Sequence, residues 1–342
     1  MAHPAILDRY RREVDKELRA VLDRQGPPVL YRMARYHLGW EDLEGRPTEY
    51  SGGKALRSTL CLLACEAVGG DWRRALPAAA ALELVHNFSL VHDDIQDRDR
   101  ERRHQPTVWA VWGEGQAINA GDALLSLAHI AVLRLAQEDL PAATVVEAAR
   151  ILDERTVEMV EGQVMDLSFE PQLDVDLAEY LEMIDKKTGA LFDCSLRLGA
   201  LVGSDDSEQA EALGRCGRLL GLAFQIRDDM LGIWGVEDQT GKPLAADIRR
   251  RKKSLPVVYA LSRAEGAVLQ DMRRIYSREE VGDEDVSLML RYLDDVQAQA
   301  YCQRLAKEVQ TEALAELDRL NLSSQAAEEL RGAAAFLLER EY

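Results

Sequence analysis

The sequence predicts an all-α protein, and three observations carry that expectation. Segments between turn signals are rich in Ala, Leu, Glu and Arg; apolar residues recur at three- and four-residue spacing; runs of β-branched residues are nearly absent. The first segment, "MAHPAILDRYRREVDKELRAVL", is charged throughout and lacks the apolar stretch of a secretory signal. Breaks then fall at "RQGPP" (25–28), "EYSGG" (49–53), "RHQPT" (103–107), "FEPQLD" (169–174), "GSDDSE" (203–208), "GVEDQTGKP" (235–243) and "EEVGDED" (279–285). None is a long low-complexity linker, and no repeat or shift of composition divides the chain, so a single helical domain over 1–342 is expected.

Within this frame, "LCLLACEAV" places Cys61 and Cys65 one turn apart, a pattern read as packed core. The five cysteines are scattered, odd in number and without a CxxC pair, which points to a reducing cytoplasm rather than a disulfide framework. The apolar run "ALPAAAALELV" carries Pro77 and Glu83, and no stretch approaches the ~18 uncharged apolar residues of a membrane span. With 60 acidic against 42 basic residues, the formal charge of −18 disfavours nucleic acid as a partner.

The chemistry gathers at two acidic strings. "SLVHDDIQDRD" ends an apolar helix on Asp93, Asp94 and Asp97; helical spacing puts Asp93 and Asp97 on one face, with Asp94 ~100° away. "FQIRDDMLG" repeats the arrangement about 130 residues later with Asp228 and Asp229. A solvated helix end is the plain alternative for either string alone. Two strings with the same apolar preamble instead suit Mg²⁺, a hard cation that takes one or two carboxylates and completes its shell with water and phosphate. Basic residues cluster beside them: Arg102 and Arg103 in "ERRHQP", Lys54 and Arg57 in "SGGKALRS", and Lys242, Lys252 and Lys253 in "GKPLAADIRRRKKSLP". Gly52 and Gly53 would let a backbone approach a phosphate, although GGK read alone is better explained as an ordinary turn and cap. Neither a P-loop nor a dinucleotide fingerprint is present.

Taken together, "GGKALR", "HDDIQD" followed by "RR", "EGQVMDL", "KKTGAL", "FQIRDD" and "GKPLAADIRRRKKSLP" resemble, in order and spacing, the trans-isoprenyl diphosphate synthases of the polyprenyl synthetase family, over roughly residues 30 to 260. The resemblance implies an isoprenoid synthase-type bundle of helices around a central apolar cavity, usually as a homodimer. It implies that Asp93, Asp97 and Asp228 hold Mg²⁺, three ions in all, with Asp94 and Asp229 in support. Arg102, Lys187, Lys242 and Lys252 would face the diphosphate of an allylic substrate. Lys54, Arg57, His86 and Arg103 would hold isopentenyl diphosphate. Thr188 and Gln225 would lie near the reacting carbons. The implied activity is condensation of the two diphosphates into a short all-trans prenyl diphosphate.

Gln163 and Asp166 in "EGQVMDL" fit either the cavity wall or a helix-surface pair, and Asp247 either orients the basic loop or is a turn residue. Ser89 and Phe88 lie four and five residues before Asp93, about 6 to 7.5 Å deeper along the helix. That pair resembles the single-aromatic arrangement of C20 synthases, so geranylgeranyl diphosphate is the expected product, with farnesyl diphosphate next. Gly232 stands where the family commonly has a third aspartate, His104 where Gly follows the arginines, and Trp109 where His is frequent. These departures keep open a diverged terpene cyclase and a regulatory subunit of a heteromeric synthase. Two Glu-x-x-His strings, "ELVH" and "ERRH", suggest a di-iron bundle, but the second abuts Pro106, where a helix should fail.

Overall fold

Helix formers between turn residues produce the expected architecture in a computed structural model, which describes residues 9–48, 55–204, 206–235 and 244–339. The first helices are α1 (Arg11–Leu22), α2 (Pro28–His37), α3 (Leu56–Ala67) and α4 (Leu76–Gln96). A two-strand hairpin, β1 (Glu101–Arg102) and β2 (Gln105–Pro106), separates α4 from α5 (Val108–Trp112). Then come α6 (Glu114–Leu133), α7 (Ala142–Phe169) and α8 (Leu177–Ile184). A π-helical turn at Asp185–Gly189 joins α8 to α9 (Ala190–Ser204), and α10 (Ser207–Trp234) follows. The chain continues with α11 (Ala246–Arg249), α12 (Leu255–Arg263), α13 (Gly266–Tyr276), α14 (Asp283–Asp295), α15 (Ala298–Arg319) and α16 (Gln325–Glu339).

Helices α3, α4 and α9 bury most of their residues. Helix α4 packs most extensively on α6, and α9 lies against α3 and α10. From Pro77 to Val91, α4 buries nearly every Ala, Leu and Val, so an apolar helix all round reads as a core element. Cys61 and Cys65 are both buried thiols in that core. A second apolar cluster joins Ile233 and Ile248 to Val257, Met272, Met289 and Leu293, and it seats the basic segment after α10.

The hairpin and an isolated bridge between Glu41 and Pro47 depart from helical structure among the described residues. The hairpin's turn residues, Arg103 and His104, have φ of +54° and +61°, the left-handed pair that a two-residue hairpin of right-handed twist demands. Glycine or asparagine adopts that conformation most easily, which is why His104 stands out in sequence and why the turn forms nonetheless where Pro106 ends helical pairing.

Candidate active site

Helix α4 ends so that its acids separate by role. The Asp97 amide donates to the Asp93 carbonyl at 2.8 Å, so the spiral continues through Asp97 and keeps the two residues one above the other. Asp94 turns the other way, is buried, and accepts from Arg102 Nε at 2.7 Å. Burial pushes the Asp93 carboxyl up to about 6, with Asp97 and Asp166 adding to it and Lys187 opposing. Burial likewise raises Asp94 to about 6 against the pull of Arg102, and raises Asp97. Carboxylates held this close favour a cation between them.

The wall opposite α4 is fixed by close packing. A Cβ on Gly162 would lie 2.3 Å from the Lys187 backbone nitrogen, so only glycine lets α7 approach the π-turn this nearly. The approach brings Asp166 Oδ2 to 2.5 Å from Lys187 Nζ, and Gln163 Nε2 donates to Gln96 Oε1 at 2.8 Å. Both residues of "EGQVMDL" therefore face the α4 end. Upstream, the Asp176 capping box starts α8, and Arg218 clamps the π-turn by donating to both Asp185 oxygens at 2.8–2.9 Å.

From the π-turn a chain of hydrogen bonds runs to the second motif. Thr188 Oγ1 donates to Gln225 Oε1 at 2.8 Å, and Gln225 Nε2 donates to Asp229 Oδ1 at 3.0 Å. Asp229 Oδ2 accepts from the Tyr180 hydroxyl and from the Leu255 amide at 3.0 Å. Asp229 is wholly buried. Burial raises it to about 6, while Lys252 and these donors act against the rise. Asp228, the next residue, is exposed. Lys252 is exposed; desolvation works against its charge, but the carboxylates of Asp229, Asp247, Asp166 and Asp228 hold its pKa above the usual lysine range. Its field also stabilises the charged form of Asp97. Arg250 Nη1 to Asp99 at 3.3 Å ties the same segment to the first motif.

Beneath the acids lies a cavity of about 200 Å³ whose lining includes Arg57, His86, Phe88, Met159, Thr188 and Leu191. Ser89, Asp93, Gln163 and Lys187 also border it. The Ser89 hydroxyl donates to its own helix at His86 O, 2.8 Å, and Phe88 packs edge-on against His92 with centroids 5.1 Å apart. Arg57 Nε is buried with no hydrogen-bond partner among the described residues, and burial lowers its guanidinium pKa to about 10. A buried N–H without a partner is costly, so an acceptor at this point is favoured. His86 is held neutral, first by burial and then by Arg57, Arg103 and Arg102. A wider depression of about 700 Å³ around Arg19, Tyr31 and Trp40 is lined by none of the motif residues.

Lys54 and Lys242 lie outside the described residues. Gly52 and Gly53 lie outside them as well. Of the rest, Arg57, His86, Phe88, Ser89, Asp93, Gln163, Lys187 and Thr188 line the cavity, and Asp94, Arg102 and Arg103 line a recess at the hairpin. Sequence reasoning missed Tyr180, the Arg218 clamp and Glu83. The Glu83 carboxylate accepts from Ser58 N at 3.1 Å and Ser58 Oγ at 2.8 Å, capping α3 from α4 and fixing the turn that carries Arg57. These contacts join residues distant in sequence, and no local pattern announces them.

Among the described residues, no three His, Cys, Asp or Glu side chains form a ready-made metal cage. Comparisons with known proteins agree with the geometry. Residues 46–293 match the family model described as Polyprenyl synthetase. The chain is 39% identical to a (2E,6E)-farnesyl diphosphate synthase of Mycobacterium tuberculosis, covering 100% of this chain and 92% of the relative. It is 44% identical to a geranylgeranyl diphosphate synthase of the same organism, over 77% of this chain and 74% of the relative. The crystal structure of geranylgeranyl pyrophosphate synthase from Corynebacterium glutamicum, complexed with isoprenyl diphosphate and magnesium, superposes with a TM-score of 0.84 at 27% identity, covering 98% and 99% of the two chains. A family match across most of the chain, with a relative 39% identical over its whole length, establishes that this chain belongs to the polyprenyl synthetase family.

Proposed function

We propose that the chain is a Mg²⁺-dependent trans-prenyltransferase that joins isopentenyl diphosphate to an allylic diphosphate, with geranylgeranyl diphosphate (C20) as its main product and farnesyl diphosphate (C15) next. One observation carries this: Asp93 and Lys187 border an apolar cavity whose polar wall holds Arg57 and His86, and Lys252 lies in the field of Asp229 and Asp228 of the second motif. Asp93 and Asp97 on one side, and Asp228 on the other, hold the metal, three ions with substrate bound. When bound, Mg²⁺ supplies positive charge to the leaving diphosphate.

The chain's own residues do the remainder. Lys187 and Lys252 place fixed charge at the mouth, where negative charge grows as the allylic C–O bond breaks. Arg102, with Nε committed to Asp94, keeps its remaining donors for the same group, and Lys242 belongs to this set by its place in the motif. Lys54, Arg57, His86 and Arg103 hold isopentenyl diphosphate, and the unpaired Arg57 Nε supports that role. Thr188 and Gln225 turn dipoles toward the reacting carbons. The apolar wall keeps water from the allylic cation, and the departing diphosphate accepts the final proton.

Phe88 and Ser89 set the floor beneath the first motif. Phe88 is the one aromatic of the pair, and small Ser89 leaves length for a C20 chain; the relatives named for C15 and C20 products mark the same two choices. The 342 residues act as one helical domain in the cytoplasm, consistent with five buried thiols. Helix 114–137 is apolar enough by length and composition to cross a membrane. We read its exposed Ile118, Ile130 and Leu133, with Val146, Val157 and Val164 on α7, as the face covered by a second copy in a homodimer.

The test incubates the protein with Mg²⁺, isopentenyl diphosphate and, separately, C5, C10 and C15 allylic diphosphates, then identifies dephosphorylated products by mass spectrometry. Linear prenyl alcohols ending at C20 are expected. A cyclic hydrocarbon made without isopentenyl diphosphate would establish a terpene cyclase, and no product from any primer a subunit requiring a partner.

A further inference from the structure

The π-turn presents two sides. Lys187 and Thr188 line the cavity, whereas Asp185, which opens the turn, gives its carboxylate to Arg218 on α10. The Ala190 amide donates to the Asp185 carbonyl, the five-residue span that makes the turn π. In an ordinary α-helix that amide would reach Lys186, and the residues on either side of the turn would fall ~100° out of step. Asp185 therefore closes the turn with its backbone and anchors it with its side chain. Arg218 Nε donates to both carboxylate oxygens at 2.9 Å, and Nη2 donates to Oδ2 at 2.8 Å.

The clamp is itself held. Arg218 Nη2 also donates to Glu158 on α7; Glu158 Oε2 accepts from Arg155 Nη1 at 2.6 Å, and Arg155 Nε stands 3.4 Å from Asp193 Oδ1 on α9. Glycine makes the room: a Cβ on Gly189 would lie 3.0 Å from Asp185 Oδ1 and 3.3 Å from Arg218 Cγ, and one on Gly221 would lie 2.8 Å from the Gly189 Cα. On α10, Arg218, Gly221, Gln225 and Asp229 follow at spacings of three, four and four, one stripe along the helix. That stripe grips Asp185 at its start, touches the backbone of the turn at Gly221, and receives the Thr188 hydroxyl at Gln225.

We propose that Arg218 is a positioning residue of the reaction: it fixes the register of the π-turn, and with it the Thr188 hydroxyl and the Lys187 ammonium at the cavity. This rests on the function proposed above. Arg218 does not line the cavity, so it acts only through the residues that do. Its planar fork sets the orientation of the Asp185 carboxylate, which a point charge does not.

Initial rates with Mg²⁺, isopentenyl diphosphate and an allylic diphosphate, each varied in turn, test this. Arg218→Gln should lower kcat by about 10- to 100-fold. KM for isopentenyl diphosphate should stay within about threefold, because Arg57 and His86 sit on α3 and α4, away from the clamp. Arg218→Lys should recover part of the loss, since it restores the charge without the fork. A cycle of variants separates positioning from plain loss of stability: with Lys187→Gln and Thr188→Val already in place, Arg218→Gln should cost less than about threefold more. Asp185→Asn makes the same test from the other side of the pair where Arg218→Gln does not fold. An unchanged kcat in either folded variant, a loss that multiplies undiminished with Lys187→Gln and Thr188→Val, or failure of both variants to fold overturns the positioning role and leaves the proposed function standing. If the unaltered chain makes no prenyl product, the proposed function falls, and the positioning role with it.

Discussion

The two acidic strings look alike in sequence and differ in the structure. In the first, Asp93 and Asp97 stack at the cavity mouth, while Asp94 turns inward to Arg102. In the second, Asp228 is exposed, and Asp229 is buried under three donors from Gln225, Tyr180 and Leu255. Each string thus splits into acids left accessible and one that is buried and holds the helix end in place. Adjacent residues on a helix point ~100° apart, so one of two neighbouring carboxylates must leave the shared face. The difference lies in the partner: a cation repays Asp94, whereas neutral donors and the field of Lys252 repay Asp229.

The largest effect expected is on catalysis. Asp93→Ala should lower kcat/KM on the order of 10³-fold, about 4 kcal/mol, in initial-rate assays with isopentenyl diphosphate and an allylic primer. A loss below tenfold would remove the first motif from the metal site. Next in size is the contrast within the second string. Asp229→Ala strands three buried donors and should cost about 3 kcal/mol of stability by calorimetry. Asp228→Ala should leave Tm nearly unchanged and abolish turnover. Equal losses of Tm would erase the distinction drawn between the two acids.

A smaller effect tests the apolar side of α4. Ser89→Phe adds bulk to the cavity wall, at about 1–3 kcal/mol of packing cost, and should shorten the longest product from C20 to C15 in the mass spectrum. An unchanged product would place the floor elsewhere.

The smallest effect is a pH term behind the first motif. Burial, with Arg103 and Arg102, holds the His37 imidazole down to about 3. An unfolded imidazole titrates near ~6.5, so below that pH the unfolded chain takes a proton that the folded chain refuses. The stability from His37 is full above ~6.5 and falls toward about 3, by ~1.4 kcal/mol per pH unit. Asp93, Asp94 and Asp229, raised to about 6, act oppositely: they favour the folded chain below ~4 and lose that contribution by about 6. Comparing unfolding of the wild type and His37→Asn at pH 7.5 and 5.5 isolates the histidine. The wild type should lose ~1.4 kcal/mol more than the variant on acidification.

The sequence by itself determined the helical class, the breaks, and the residue types that gather at the mouth. Periodicity, turn residues and the pairing of apolar runs with terminal acids are local properties, written in neighbouring letters. That Asp93 and Asp97 share a face followed from 3.6 residues per turn alone. Tertiary structure alone decided which acid of each pair is buried, because burial depends on what packs across from it: Arg102 for Asp94, Tyr180 and Leu255 for Asp229. It also decided that Gln163 and Asp166 face α4, because Gly162 lets the π-turn close on α7. Gly232 shows the division most sharply. The sequence records only a glycine, and the packing of α11 on α10 brings Asp247 Oδ2 to 2.1 Å from where a Cβ at 232 would lie.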